Sequence, residues 1–370
     1  MTHAVPPRVW VLLGRRAGDN RQLQALAAAL PWRAEFKELA YQGSWPGWTP
    51  SYGRRPSLAP LTAASRALLT PPWPDLVLSV GWRSVPVALW IRQSCGARLV
   101  HLGRPRAPVS EFDLILTTPQ YGLPAAANVI ELKAPISDLE PRELAAAADA
   151  WRARIIDLPR PWIAVLVGGD ATPFQLDAET ASELGRRAAA LARAQRGSLL
   201  IATSPRTSAA AATALLEAVN APHHAFLWSK GGDNPYRAYL ALADEIVVTG
   251  DSLSMALEAA ATGKPLHLFE LPKRGAWPLR LLEALDQFAR RRAGLLRRIY
   301  FFLIRGGWLY APRRPRAALQ HLFDSGQAVT LGNGTPHSGP PNANSREQAV
   351  ALVRKLLDAA PDGGALLVRE

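Results

Sequence analysis

The sequence predicts an α/β protein built from two Rossmann-type parallel-sheet domains. The chain has 370 residues, enough for two domains of ordinary size. Between Val9 and Phe269, short β-rich apolar runs alternate with segments whose apolar residues recur at helical spacing. Most of those runs end in a polar, glycine-containing loop, which is where open parallel sheets bind ligands.

Val9–Leu13 reads as the first strand, with an exit loop from Gly14 to Asn20. Residues 22–30 follow as a helix, with Leu23, Leu26, Ala27 and Leu30 on one face. The loop has neither the GxGxxG nor the P-loop spacing. It still sets Gly18, Asp19 and Asn20 at the carboxyl end of a first strand; a tight turn with an N-cap Asp19 accounts for the same residues. Residues 35–39 fit a second strand. Residues 41–60, rich in Gly, Pro, Ser and Trp, read as a long loop or lid. Leu76–Val80, Arg98–Leu102 and Leu114–Thr117 are further strands, with a helix over residues 85–94 whose Pro86 sits in the first turn. Arg83, Arg104 and Arg106 stand at strand ends, either lining a cationic mouth or as solvated loop charges.

A second series starts at residues 163–167 and meets Gly168-Gly169-Asp170 at once. A helix over 178–196 and a strand over 198–202 follow, the strand leaving through Thr203, Ser204 and Arg206. A helix over 209–219 and a strand over 225–228 lead to a hydrophilic loop carrying Lys230 and Asn234. Residues 246–248 form a buried strand broken by Thr249-Gly250-Asp251-Ser252, and Leu253–Ala261 turns helical with Asp251 or Ser252 as N-cap. Leu266–Phe269 is the next strand. Free N–H groups and the helix dipole make the loop from Gly250 to Ser254 a seat for phosphate. Glu258, about two turns into the helix, can accept hydrogen bonds from a ribose. An ordinary capped αβ unit with a surface Glu258 fits the same pattern.

The linear boundaries expected are 1–158 for the first domain, 159–330 for the second, and 331–370 for a linker and terminal helix. Cys95 is the single cysteine, which excludes an internal disulfide and suits a reducing cytoplasm. With no Cys/His cluster, no metal is expected. No signal-peptide pattern opens the chain and no apolar stretch reaches about 18 residues, so neither a secretory leader nor a spanning helix is expected. The net charge of +13 implies an anionic partner. From Gln287 to Phe323 there is no Asp or Glu, while nine arginines surround Leu295-Leu296 and the apolar run from Ile299 to Ile304. Such a basic segment fits an interfacial helix on an anionic membrane surface, or a solvated face over a core helix. No nucleic-acid motif accompanies the charge, so no nucleic acid is expected.

Gly14-Arg-Arg-Ala-Gly-Asp-Asn20, His101-Leu-Gly-Arg-Pro105, Thr117-Thr-Pro-Gln-Tyr-Gly122, Val167-Gly-Gly-Asp170, Thr249-Gly-Asp-Ser-Leu-Ser-Met255, Glu258 and Thr262-Gly-Lys-Pro265 together resemble one family. It is that of the plant mitochondrial-fission "elongated mitochondria" proteins and their bacterial relatives. The resemblance implies a GT-B-like fold, with two Rossmann-type domains facing a cleft. A weaker similarity is to the lipid-linked glycosyltransferase that adds N-acetylglucosamine in peptidoglycan synthesis. In that similarity Gly168 and Gly169 match diphosphate-side glycines and Glu258 the acid that holds the donor ribose. Asp19 stands where that enzyme has a histidine base.

The expected activity is thus transfer of a sugar from a nucleotide sugar to an acceptor, a lipid-linked one among the candidates, at the inner membrane surface, without a cofactor. Asp19 is the expected base. Gly18, Asn20, Arg104, Gly168, Gly169, Ser204, Arg206, Lys230, Asn234, Gly250, Asp251, Ser252, Ser254 and Glu258 are the expected binding residues. The alternatives are a non-enzymatic membrane-associated factor of the same fold and a sugar-nucleotide epimerase. The expected location is cytoplasmic, peripheral on the membrane.

Overall fold

The computed structural model describes residues 6–43, 53–137, 139–171, 173–274, 277–291, 293–309, 311–339 and 345–358. The chain forms two compact units, each built on a six-stranded, wholly parallel sheet flanked by helices. Both Rossmann-type sheets required by the GT-B-like reading are therefore present.

In the first unit, the elements of the N-terminal stretch are β1 (Val9–Leu13), α1 (Ala17–Ala29), β2 (Ala34–Glu38), α2 (Ala63–Ala67), β3 (Leu76–Val80), α3 (Gly81–Cys95), β4 (Arg98–Leu102), β5 (Leu114–Thr117) and β6 (Val129–Glu131). The sheet order is β2-β1-β3-β4-β5-β6. Because successive strand residues point to opposite faces, β1 feeds two cores. Val9, Val11 and Leu13 join Leu23 and Leu26 of α1. Trp10 and Leu12 join Val85 and Ile91 of α3.

The second unit opens with α4 (Pro141–Ile155) and continues through β7 (Trp162–Val167), α5 (Ala178–Ala194), β8 (Ser198–Thr203), α6 (Ala209–Glu217), β9 (His223–Phe226), α7 (Tyr236–Leu242), β10 (Glu245–Thr249), α8 (Leu253–Ala261) and β11 (Leu266–Phe269). After these come α9 (Trp277–Arg291), α10 (Leu295–Arg305), α11 (Pro315–Asp324), β12 (Ala328–Thr330) and α12 (Ser345–Asp358). The second sheet runs β12-β11-β10-β7-β8-β9, the strand order of the dinucleotide-binding fold.

The units do not follow the linear division at residue 158. The first comprises Met1–Asp138, Leu281–Arg314 and Asn344–Glu370; the second comprises Leu139–Arg280 and Pro315–Ala343. Packing explains each departure. Trp151 of α4 lies edge-on to the rings of His224 and Tyr239, at 5.8 and 6.2 Å, so α4 belongs to the second unit. Ile304 and Ala311 are buried in the α3-side core of the first sheet, with Tyr300 and Phe301 packed against it. The basic segment, expected with the second domain, therefore belongs up to Arg314 to the first. The terminal helix α12 is no appendage either, because Ala349, Val353 and Leu356 are buried with Leu23 and Leu26 of α1.

Where the lid was expected, residues 44–52 lie outside the described residues, as do 340–344 of the linker and 359–370 of the tail. The described ends of the first segment are tied down: Gln42 N donates to the Pro60 carbonyl at 2.8 Å, and Leu61 is fully buried.

Candidate functional site

Each sheet has one point where the chain reverses its direction of winding. In the first it lies between β1 and β3, in the second between β7 and β10. The carboxyl ends of such strand pairs leave a crevice, because their exit loops depart to opposite sides.

At the second switch point, loops from β7, β8 and β10 interlock. Gly168 N donates to Thr249 Oγ1 at 2.7 Å, and the Gly168 carbonyl accepts from Ser204 Oγ at 2.6 Å and from the Thr207 hydroxyl. Gly169 N donates to Asp251 Oδ2 at 3.1 Å, and the same oxygen pairs with Arg206 Nη1 at 2.9 Å. A Cβ on Gly168 would lie 2.2 Å from the Asp251 carboxylate, and one on Gly169 would lie 2.1 Å from the Arg206 carbonyl. Only glycine fits at either position. The side chain of Asp251 is wholly buried. Burial pushes its carboxyl above the ordinary range, while Arg206, Thr249 and the Gly169 amide pull it back.

These contacts change how the expected phosphate seat reads. The amides of Gly168 and Gly169 and the hydroxyl of Ser204 already have protein partners, and Gly250 N donates to the Phe269 carbonyl at 2.8 Å. Asp251 does not cap α8 but braces the β7 loop. Ser252, the residue before α8, is buried and its side chain makes no capping hydrogen bond. The opening amides of α8 thus receive no acceptor from the cap residue, and half-buried Ser254 stands in that first turn.

Glu258, half-buried on α8, accepts from the Tyr236 hydroxyl at 2.5 Å. Asn234 is engaged locally, its Oδ1 accepting from Tyr236 N at 3.0 Å to start α7. Lys230 is exposed on the turn after β9. Beside it Trp228 is 45% exposed, its backbone N–H held by Thr203 Oγ1 at 2.9 Å. Sequence reasoning passed over Trp228, Tyr236 and Thr207. The signal for Tyr236 was its place just after Asn234-Pro235 at a helix entry.

At the first switch point, α1 begins at Ala17, so Gly18, Asp19 and Asn20 lie in a helical first turn rather than in a loop. Asn20 closes the turn behind them. Its Oδ1 accepts from Gly14 N and its Nδ2 donates to the Gly14 carbonyl, both at 2.8 Å. Asp19 is half-buried beside Gly81, whose Cβ would lie 3.6 Å from Asp19 Oδ2. Burial pushes the Asp19 carboxyl up, and Arg16 and Arg313 draw it partly back.

Arg104 does not line a cationic mouth. It is buried, donating from Nη1 to the Tyr121 carbonyl at 3.0 Å and from Nη2 to the Ala311 carbonyl. Arg83 and Arg106 gather over the Trp82 ring, at 5.2 and 4.6 Å from its centroid. His101 is no reachable base: it lies fully buried in β4 with Nδ1 2.9 Å from Ser79 Oγ, and burial lowers its pKa to about 3. A narrow cleft opens at the carboxyl ends of β3, β4 and β5, walled by Val80, Leu102, Leu116, Thr118, Gln120 and Tyr121 among others.

An Arabidopsis thaliana protein, mitochondrial fission protein ELM1, is 25% identical over 221 residues, 53% of this chain and 51% of that protein. The chain thus spans about half the length of that relative. A Rickettsia prowazekii protein named uncharacterized protein RP120 is 22% identical over 306 residues, 71% of this chain and 83% of that one. Among solved structures, the UDP-GlcNAc 2-epimerase of Methanocaldococcus jannaschii aligns at a TM-score of 0.49 with 11% identity, over 95% of this chain and all of that one. The family model for Mitochondrial fission ELM1 matches residues 17–297, from the first turn that carries Asp19, through the whole of the second switch point, to the start of α10. On that match, the chain belongs to the mitochondrial fission ELM1 family.

Proposed function

We propose that the chain is a nucleotide-sugar-dependent glycosyltransferase whose second unit binds the donor and whose first unit binds the acceptor. One observation carries the reading. At the switch point of a sheet with dinucleotide-fold strand order, α8 presents an uncapped amino end, and Tyr236 fixes the Glu258 carboxylate on the same helix. An uncapped helix start favours a diphosphate, and an oriented carboxylate favours ribose hydroxyls. Ser252, Ser254, Arg206 and Lys230 supply the remaining polar and cationic groups, and Trp228 an aromatic face for a base. Asp19 is the base toward an acceptor hydroxyl. Desolvation raises its pKa toward the working range, which suits a carboxylate to that task.

Calorimetry with nucleoside diphosphates and their sugars tests the donor half. Glu258→Ala should weaken binding by about 1.5–3 kcal/mol, and Tyr236→Phe by a smaller amount, about 0.5–1.5 kcal/mol. Equal affinity for all three proteins would remove Glu258 from the site. Asp19→Asn tests the base: it keeps the shape, so turnover should drop about 10²–10⁴-fold with donor affinity unchanged.

A second reading has its own observation. Asn20, Arg104 and the amides of Gly168 and Gly169 are engaged inside the protein, as in a non-enzymatic factor that keeps the fold. Donor binding with neither transfer nor hydrolysis in any membrane extract would favour it.

A further inference from the structure

Among the described residues, most of the large exposed apolar side chains lie on or just after two helices. Leu281, Leu285 and Phe288 on α9 are 51, 51 and 49% exposed; Leu295, Ile299 and Phe302 on α10 are 70, 46 and 69% exposed. Both triplets recur at i, i+4 and i+7, the spacing of a single helix face. Leu282, Leu296 and Trp308 add to them. The opposite faces are accounted for. On α9, Asp286 is buried, accepting from Arg290 Nε at 2.6 Å and from the Tyr300 hydroxyl, and Arg290 Nη2 donates to the Gly122 carbonyl at 2.9 Å. On α10, Ile304 is buried and Tyr300 and Phe301 pack on the core. Each helix is thus bolted to the first unit by one side and bare on the other.

From the last turn of α9 through α10 the charge has one sign. No Asp or Glu occurs from Gln287 to Phe323, and Arg291, Arg297, Arg298 and Arg305 are all exposed. A second copy seated here would set arginines against arginines, a like-charge contact that disfavours association. A span is excluded, because α10 has 11 residues where about 20 are needed to cross a bilayer. Apolar faces that sink to the acyl boundary, flanked by guanidinium groups that pair with phosphate, match one occupant.

We propose that α9 and α10 form a docking surface for an anionic lipid bilayer. Leu285, Phe288, Leu295, Ile299 and Phe302 enter the interface, Trp308 lies at its rim, and Arg291, Arg297 and Arg298 contact lipid phosphates. The proposal is independent of glycosyl transfer.

Flotation of the full chain with phosphatidylcholine vesicles, with and without phosphatidylglycerol, tests it. Binding should require the anionic lipid and weaken with salt. Arg291, Arg297 and Arg298 changed together to Ser should lower partitioning about 100-fold, at roughly fivefold per cation. The same three changed to Lys should keep most of it. Ile299→Ser with Phe302→Ser should lower it at least about tenfold. All these positions are exposed, and unchanged melting temperatures certify the variants as folded. Equal flotation on neutral vesicles, no flotation, or dimerisation abolished by the same variants in the absence of lipid would each overturn the assignment.

Discussion

The two switch points occupy the same topological slot and close it in opposite ways. At the first, closure is local: Asn20 reaches back six residues to both backbone groups of Gly14. At the second, closure is long-range: Gly168 and Gly169 are held by residues 36 to 82 positions away, from two other loops. Local closure leaves the backbone around it uncrowded. A Cβ on Gly14 or Gly18 would meet nothing within 4 Å, whereas one on Gly168 or Gly169 would meet atoms little more than 2 Å away. The first site is a turn with an adjustable wall; the second is an interlocked wall from which α8 projects its amino end. The family match takes in the second wholly and the first only from Ala17 onward, and that a fold can build its two crevices so differently shows that strand order alone does not fix what a crevice offers.

The sharpest way to break this contrast is to add a methyl group at each switch point. Gly169→Ala drives a Cβ into the Arg206 carbonyl and should destabilise the protein by about 2–4 kcal/mol in urea unfolding. Gly18→Ala, in open space on α1, should be stabilising by about 0.5–1 kcal/mol. Similar values for both would show that the second wall gives way. Next in size, Asn20→Ala removes two hydrogen bonds to Gly14 and should cost about 1–2 kcal/mol. A loss below the error of the melt would mean that the first turn holds without its clasp.

The smallest expected effect is a matter of sign. Burial raises the Asp19 carboxyl pKa in the folded state, so the folded protein keeps that proton to higher pH than the unfolded chain does. The stability this provides is present while the group is protonated and is lost as pH rises above the ordinary carboxylate range. Asp19→Asn has no such penalty, so its melting temperature at neutral pH should exceed that of the wild type by about 1–3 °C. The gap should close as the pH falls toward about 4. A variant less stable at neutral pH would show that Arg16 and Arg313 outweigh desolvation.

What was legible in the sequence was whatever is local. The bounds of β1, β3, β4, β5, α8 and β11 are those read from their apolar runs, because a buried parallel strand or a helix declares itself within its own window. Elements whose burial depends on neighbours were missed: α2, the amino-terminal part of α4, α9 before Gln287, α11 and the three-residue strands β6 and β12. In the candidate sites the residue types were readable but their partners were not. Nothing near Asp251 in sequence says that its carboxylate braces Gly169, 82 positions away. Nothing near Arg104 says that it is buried under Ala311, 207 positions away. Helical spacing shows that α10 has an apolar face, but two apolar faces of one helix, one for the core and one bare, look alike without the fold.

The interleaved division of the chain has a further consequence, for synthesis. A ribosome that has released β6 has made every strand of the first sheet, yet neither Ile304 nor Val353, both buried in that unit's cores, has emerged. The flank of α1 that packs on α12 waits uncovered until α12 arrives, after the whole second sheet has been translated. The unit begun first is completed last. Nascent chains therefore carry an exposed apolar surface through most of their elongation, the situation in which holding chaperones matter and in which a fragment ending after β6 is expected to aggregate.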